Sequence, residues 1–409
     1  MNEIQDSSGR PRRRHRRAAT IATSVALVLI AGACSSSKSS SSASSGATAT
    51  TAAAAATATT AASGGATATT AASSGSGGLA AAQALVAKES VQPTQITDTA
   101  KTTGTIPKGL TVDFIPCGAN PECQQEGQIV KQADDLLGWK TVILSNDGSP
   151  QQSKAAFDQV VRSKADAVLY TAIPQSTFQS EIAALQANKT VVSTCCVTDT
   201  VGNGIDYAID TPDQVGPVGG SQAAIVATDS NCTADESVVI NIPDFAILAN
   251  GVADFKSALT NYCPGATTDQ LDIALADLAN GTTTIVSYLR AHPSVKYVIA
   301  STDGVVIGLP AALKAAGLTT KIVGQGATPT NIQYLKSGGE IADVAFPYYE
   351  VMWSMVNAVV QKKAGQSIAP SVAPPAWILT PSNAPTTSDA AFPVVADYQA
   401  QYKALWGLS

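Results

Sequence analysis

The chain has 409 residues with 25 basic and 31 acidic side chains, a formal net charge of −6. Six arginines and two acidic residues fall within residues 1–34, leaving 19 basic and 29 acidic residues and a net of −10. That balance excludes nucleic acid as a partner, because phosphate contacts need a basic patch. With only His15 and His292 present, a histidine zinc site or a Ser-His-Asp triad has little to work with, so neither metal nor cofactor is expected.

At the N-terminus, Arg10, Arg12, Arg13, Arg14, Arg16 and Arg17 precede an apolar run, Ala18 to Ile30, and then Ala31-Gly32-Ala33-Cys34. A basic region, a short apolar region and small residues before a cut site predict a signal peptide over 1–33. The run is shorter than the roughly 20 residues a spanning helix needs. A cysteine directly after such small residues resembles the bacterial lipobox, with Ala31 where that motif usually has leucine. Cys34 is therefore the expected lipidation site and membrane anchor; an ordinary signal peptide containing a cysteine is the alternative. Residues 35–78 are almost wholly Ser, Ala, Thr and Gly. They bury too little apolar surface to offset the entropy of ordering, which predicts a tether over 34–80. A lead-in over 81–107 follows.

From residue 109, short apolar runs alternate with helical patterns. Strands are predicted at Leu110–Pro116, Thr141–Leu144, Ala167–Tyr170 and Thr190–Thr194, with helices at Glu122–Gly138, Pro150–Ser163 and Ser176–Ala187 between them. The alternation restarts with a helix at Asp213–Thr228. Strands follow at Ser237–Asn241, Gln270–Ala274, Val295–Ala300, Lys321–Gly324 and Glu340–Ala345, separated by helices at Phe245–Thr260, Gly281–Ala291 and Val305–Ala316; a helix at Tyr348–Ala364 comes last. Such alternation implies βαβ crossovers and parallel sheets covered on both faces. The fold class is α/β: two doubly wound, Rossmann-like lobes facing each other across a cleft.

Ser301-Thr-Asp-Gly-Val-Val-Ile-Gly-Leu-Pro-Ala-Ala-Leu-Lys-Ala-Ala-Gly317 resembles the signature of type I periplasmic binding proteins of the ribose-binding class. Lys321 to Pro329, then Asn331 and Gly338, is similar to that family's next strand-turn-helix, and Trp377 to Asn383 to its late crossover strand. The resemblance implies three hinge segments, near Ile209–Asp213, Phe346–Tyr348 and Pro374–Ser382. It places an N-terminal lobe at 108–210 plus 347–373 and a C-terminal lobe at 211–346 plus 374–409. It also implies a monomer outside the cytoplasm, held to the membrane by its lipid, that hands a small-molecule ligand to ABC permease subunits.

Ligands of open parallel sheets bind beyond the carboxyl ends of the strands. Those ends supply Pro116, Asn146, Asp147, Tyr170, Thr171, Cys195 and Cys196 in the first lobe, and Asp244, Phe245, Asp277, Thr302, Asp303, Gln325 and Phe346 in the second, with Tyr348 beside them. Any polar one can instead cap the following helix, Asp147 and Asp303 especially. Sugar binders of the resembled class carry an aspartate where this chain has Gly326, a glutamine near Phe346 and an Asp-Arg pair at Cys195-Cys196. Losing those groups predicts a ligand less polar than ribose, with Tyr170, Phe346 and Tyr348 offering stacking area; a simple sugar is the alternative.

Six cysteines beyond Cys34 favour disulfides in an exported chain, although spacing does not fix the pairing. Cys232 and Cys263 each precede a second-lobe strand and can meet at the amino edge of that sheet. Cys117 and Cys123 can close the first strand–helix loop, and Cys195-Cys196 can pair with each other, stay reduced, or serve a metal or redox role. A sensory receptor using the same cleft is the alternative to import. An exported enzyme is disfavoured by the missing Gly-x-Ser-x-Gly elbow, P-loop and catalytic histidine.

Overall fold

The computed structural model describes residues 74–233, 236–386 and 392–408. The signal segment, Cys34 and the tether up to residue 73 lie outside the described residues. A helix, α1 (Ser74–Glu89), comes first. The first sheet is built from β1 (Thr111–Ile115), β2 (Lys140–Ile143), β3 (Ala167–Thr171), β4 (Val191–Cys195) and β5 (Tyr207–Ile209), connected by α2 (Pro121–Leu137), α3 (Pro150–Ser163) and α4 (Ile182–Asn188). Its order is β2-β1-β3-β4-β5, parallel throughout.

The chain then runs through α5 (Pro212–Ser230), β6 (Glu236–Asn241), α6 (Leu248–Tyr262), β7 (Thr267–Asp272), α7 (Leu278–Ala291) and β8 (Val295–Ala300). It continues through α8 (Leu309–Ala316), β9 (Lys321–Gly326), α9 (Pro329–Ser337), β10 (Ala342–Ala345), α10 (Tyr348–Lys363), β11 (Ile378–Leu379) and α11 (Tyr398–Trp406). The second sheet has the order β11-β10-β9-β8-β6-β7, parallel except for β11.

Strand side chains alternate between faces, and both faces are covered. In β3, Ala167 and Leu169 join the core beneath α2 and α10, whereas Val168 and Tyr170 join the core beneath α3 and α4. Helix ends follow from local chemistry. Ser149 caps Gln152 ahead of Pro150, Thr211 and Gln214 form a capping box ahead of Pro212, and Gly138 closes α2 in the left-handed region at φ 72°. Helices α5 and α6 cross so closely that a Cβ on Gly219 would lie 2.0 Å from the Gly251 carbonyl oxygen.

Several elements differ from the sequence expectation. The helix expected at Val305–Ala316 is broken: a 3₁₀ turn spans Asp303–Val306, and α8 starts at Leu309 after Gly308 in the left-handed region. Pro310 cannot donate into a preceding helical turn, which sets that restart. The helix expected at Ser176–Ala187 divides likewise into a 3₁₀ turn at Gln175–Phe178 and α4. Helix α1 begins inside the segment assigned to the tether, with buried Ala82 and half-buried Leu85 and Val86 packed on the second-lobe core.

The C-terminal helix departs from its expected lobe. The family pattern puts residues 374–409 together in the second lobe, and Trp377, Leu379 and Val394 do pack there. From Val395 onward, however, Tyr398, Tyr402, Leu405 and Trp406 bury themselves in the first-lobe core around the fully buried Trp353. Trp406 stacks on Trp353 at 5.4 Å between ring centres, and its indole N–H donates to Asn357 at 2.9 Å. The reason is packing area: two indoles and two phenols remove more apolar surface from water here than an exposed tail would. The lead-in crosses too, from α1 on the second lobe to Ile96 in the first-lobe core. The three hinge segments of the family pattern are thus joined by two more connections near the chain ends.

Candidate ligand-binding site

A cavity of about 870 Å³, counting the solvent at its mouth, lies between the lobes at the carboxyl ends of both sheets. Most of the strand ends contribute to its wall. Cys117 follows β1, Thr171 and Ala172 end β3, Cys196 follows β4, and Asp210 follows β5. From the other side come Ile242 and Phe245 after β6, Leu275 after β7, Thr302 after β8, Gln325 in β9 and Phe346 after β10.

The two walls differ in chemistry. The first lobe presents Asn120, Glu122, Glu126, Thr171 and Asp210 with two disulfides, Cys117–Cys123 and Cys195–Cys196. The second lobe presents Ile242, Phe245, Ile247, Leu248, Leu275 and Leu278, with Ser301, Thr302 and Gln325 as its polar groups. Phe346 and Tyr348 meet edge to face, 4.6 Å between ring centres, where the lobes join. Glu126 on α2 is 5% exposed and accepts the Thr171 hydroxyl at 2.7 Å. Burial, with repulsion from Glu122 and Asp210, pushes its carboxyl up to about 8. Burial pushes Asp210 up to about 7, and it holds the Tyr348 phenol well above its ordinary range.

Of the residues singled out from sequence, Thr171, Cys196, Phe245, Thr302, Gln325, Phe346 and Tyr348 line this cavity. Pro116, Asn146 and Asp277 do not, and neither do five others whose placement has a visible cause. Asp147 is exposed and braces the start of α3, accepting from the N–H of its cap residue Ser149 at 2.9 Å and from the Gln152 side-chain amide at 2.8 Å. Tyr170 points to the opposite face of β3, edge-on to the stacked rings of Phe157 and Phe178, so its ring is core and offers no stacking surface. Cys195 faces the first-lobe core while its neighbour Cys196 faces the cavity. Asp244 accepts the Leu275 N–H at 2.8 Å and holds one loop to another. Asp303 is 1% exposed, its carboxylate consumed by backbone N–H groups. In each case the strand end was right and the parity or the local cap decided where the side chain went.

Sequence reasoning missed Glu122, Glu126 and Asp210. Asp210 follows the three-residue strand β5, too short to show a pattern; recognised as a strand end, it would have been included. Glu126 sits on the buried face of a helix, where its spacing with Ile129, Val130 and Ala133 was the available signal. Cys232 pairs with Cys263, bridging the end of α5 to the end of α6 away from the cavity. Among the described residues no group of three potential metal ligands occurs, and no helix is long and apolar enough to cross a membrane.

The sequence profile of the periplasmic binding protein domain family matches residues 114–367, more than half of the chain. No curated protein matches it by sequence. By fold the chain is similar to a Burkholderia graminis ABC transporter solute-binding protein in complex with D-arabinose, at 18% identity, covering 69% of this chain and 99% of that one with a TM-score of 0.61. A glucose-galactose binding protein from Geobacillus stearothermophilus gives 16% identity, 68% and 100% coverage and a TM-score of 0.60. A Mycobacterium smegmatis ABC transporter solute-binding protein with bound glycerol gives 16%, 69% and 99%, and 0.59. At such identities the likeness to these structures is one of fold.

Proposed function

The chain belongs to the periplasmic binding protein domain family, and from that membership we propose that it captures a small molecule outside the cell and delivers it to an ABC importer. One observation carries the reading: a single cavity takes its walls from both lobes, at the carboxyl ends of both sheets. A molecule touching Thr171 and Cys196 on one side and Phe245 and Thr302 on the other gains all its contacts only when the lobes are together. Its binding therefore favours the closed form, and that form is what permease subunits would read. No bond is made or broken, which is how a binding protein rather than an enzyme works.

The related structures carry D-arabinose and glycerol, and a sugar-like ligand fits the amide and carboxyl groups of the first-lobe wall. The second-lobe wall argues for a ligand with an apolar flank, because most of its lining side chains are aliphatic or aromatic. Residues 1–33 would direct export, and lipidation of Cys34 would keep the protein at the membrane as a monomer on a Ser/Ala/Thr tether.

A thermal-shift panel of sugars, polyols, aromatic acids and amides tests capture. A ligand at about 100 times its dissociation constant adds about 2.7 kcal/mol of stability, which a melting curve resolves. Deleting the gene should abolish uptake of that ligand by the cell; uptake that persists unchanged would remove the import role. Mass spectrometry of the mature protein tests the anchor, which requires an N-terminal acylated Cys34.

A further inference from the structure

We propose that the ligand of this cleft carries a protonated amine on an apolar body, and that Glu126 and Asp210 receive the amine. This rests on the capture reading above and names the chemical class of its ligand. The lining contains three carboxylates, Glu122, Glu126 and Asp210, and no lysine, arginine or histidine. A carboxylate or phosphate ligand would find no cation in the lining to meet it.

Asp210 is the more telling of the pair. It stands at the end of β5 with φ at 56°, in the left-handed region that a side chain seldom adopts, and is 7% exposed. Its backbone N–H is satisfied by the Gln214 side chain at 2.6 Å. Among the described residues, its carboxylate accepts no hydrogen bond. A buried acidic group without a partner costs free energy, so a site built this way has a use for one. Glu126 is half satisfied: Oε2 takes the Thr171 hydroxyl, and Oε1 receives no donor among the described residues. Glu122 receives the Asn120 amide at 3.0 Å and closes the same side of the cavity.

The charges around the cleft point the same way. Behind its second-lobe wall lie Asp303, Glu340 and Asp343, all buried. Mutual repulsion among carboxyls adds to the burial that raises Glu126. An ammonium seated between Glu126 and Asp210 replaces that repulsion with attraction and supplies the donors both groups lack. A neutral polyol brings no counter-charge to this pair, and any hydroxyl it turned toward Phe245, Ile247, Leu248, Leu275 and Leu278 would find no partner there. An aromatic or alicyclic body on the amine matches that wall.

The test uses the full-length protein and matched pairs: phenethylamine against 2-phenylethanol, tyramine against tyrosol, and cyclohexylmethylamine against cyclohexylmethanol, with D-arabinose and glycerol alongside. Calorimetry and thermal shift are read at pH 7.5. At least one amine should bind tenfold or more tightly than its own alcohol. Asp210→Asn and Glu126→Gln should each weaken the amine about tenfold and the alcohol by much less. Failure of every amine to bind, or an alcohol binding as tightly as its amine, overturns the proposal even if neither variant folds. If D-arabinose or glycerol binds while the amines do not, the amine assignment falls and capture stands. If nothing in the panel binds, both fall.

Discussion

Asp303, directly after Thr302 at the end of the β8 turn, accepts the backbone N–H of Thr328 through Oδ2 at 2.8 Å. Its other oxygen accepts the N–H of Gln325 at 3.0 Å. One carboxylate thereby holds both ends of the β9 turn, and the turn presents Gln325 to the cleft. The fit leaves no room for a side chain beneath it: a Cβ on Gly324 would lie 2.9 Å from Asp303 Oδ1 and 2.6 Å from Asp343 Oδ2.

Replacing Asp303 with alanine should therefore act first on the fold. Two buried N–H groups lose their acceptor, at roughly 1–3 kcal/mol each. A loss of about 3 kcal/mol in urea unfolding is expected, with ligand binding weakened as a consequence. A variant of unchanged stability but lost affinity would return Asp303 to the role of a ligand contact.

Phe346 and Tyr170 should separate binding from stability. Phe346 is half-buried in the cavity wall, so Phe346→Ala should weaken ligand binding about tenfold and cost about 1 kcal/mol of stability. Tyr170 is fully buried against the stacked Phe157 and Phe178. Tyr170→Ala should cost roughly 3–5 kcal/mol, as large aromatic deletions in a core do, and any surviving folded protein should still bind. Parallel melting and calorimetry on the two variants check the contrast.

Stability should fall as pH rises from 5 to 8. Burial raises Glu126 to about 8, and Asp134 and Glu350 to about 7, while Asp303, Glu340 and Asp343 are raised by burial and, for the last two, by repulsion from Asp303. The folded chain keeps these protons at a pH where the unfolded chain, with carboxyls near 4, has lost them. Their contribution is fully present below about pH 4 and fades as pH climbs through 7 to 8. Asp147 and Asp272, held low by hydrogen bonds from Ser149 and Gln270, act oppositely below pH 4. Urea midpoints at pH 5 and pH 8 test the sign, and a higher midpoint at pH 8 would contradict it.

The disulfides should contribute unequally. Cys232–Cys263 closes a separation of 31 residues and Cys117–Cys123 only 6. Loop entropy gives about 3.7 kcal/mol for the first and about 2.4 kcal/mol for the second. The double substitution Cys232→Ala with Cys263→Ala should thus lower the unfolding midpoint more, without touching the cleft. Cys117→Ala with Cys123→Ala should cost less stability but perturb binding, since both residues line the cavity.

What the residues settled alone was the architecture. Buried parallel strands read as short apolar runs between amphipathic helices, so two doubly wound lobes were legible, as was the motif Ser301–Gly317 that ties them to a family. Even α11 had left its mark, since Tyr398, Tyr402, Leu405 and Trp406 repeat at helical spacing. The strands β5 and β11, of three and two residues, were too short to show a period.

What needed the folded molecule was the identity of the side chains that meet a ligand. Tyr170 and Thr171 are neighbours on one strand, and Cys195 and Cys196 are neighbours at the end of another; in each pair one faces the core and one the cavity. Alternation dictates that such neighbours part, but which one turns inward depends on where the opposite lobe lies. That placement is fixed by crossovers and packing hundreds of residues apart in sequence, as with the Tyr402 hydroxyl of the tail donating to Asp98 at 2.8 Å. Local pattern carries no record of such distant contacts, so the depth of Glu126 and the unmatched carboxylate of Asp210 emerged only in three dimensions.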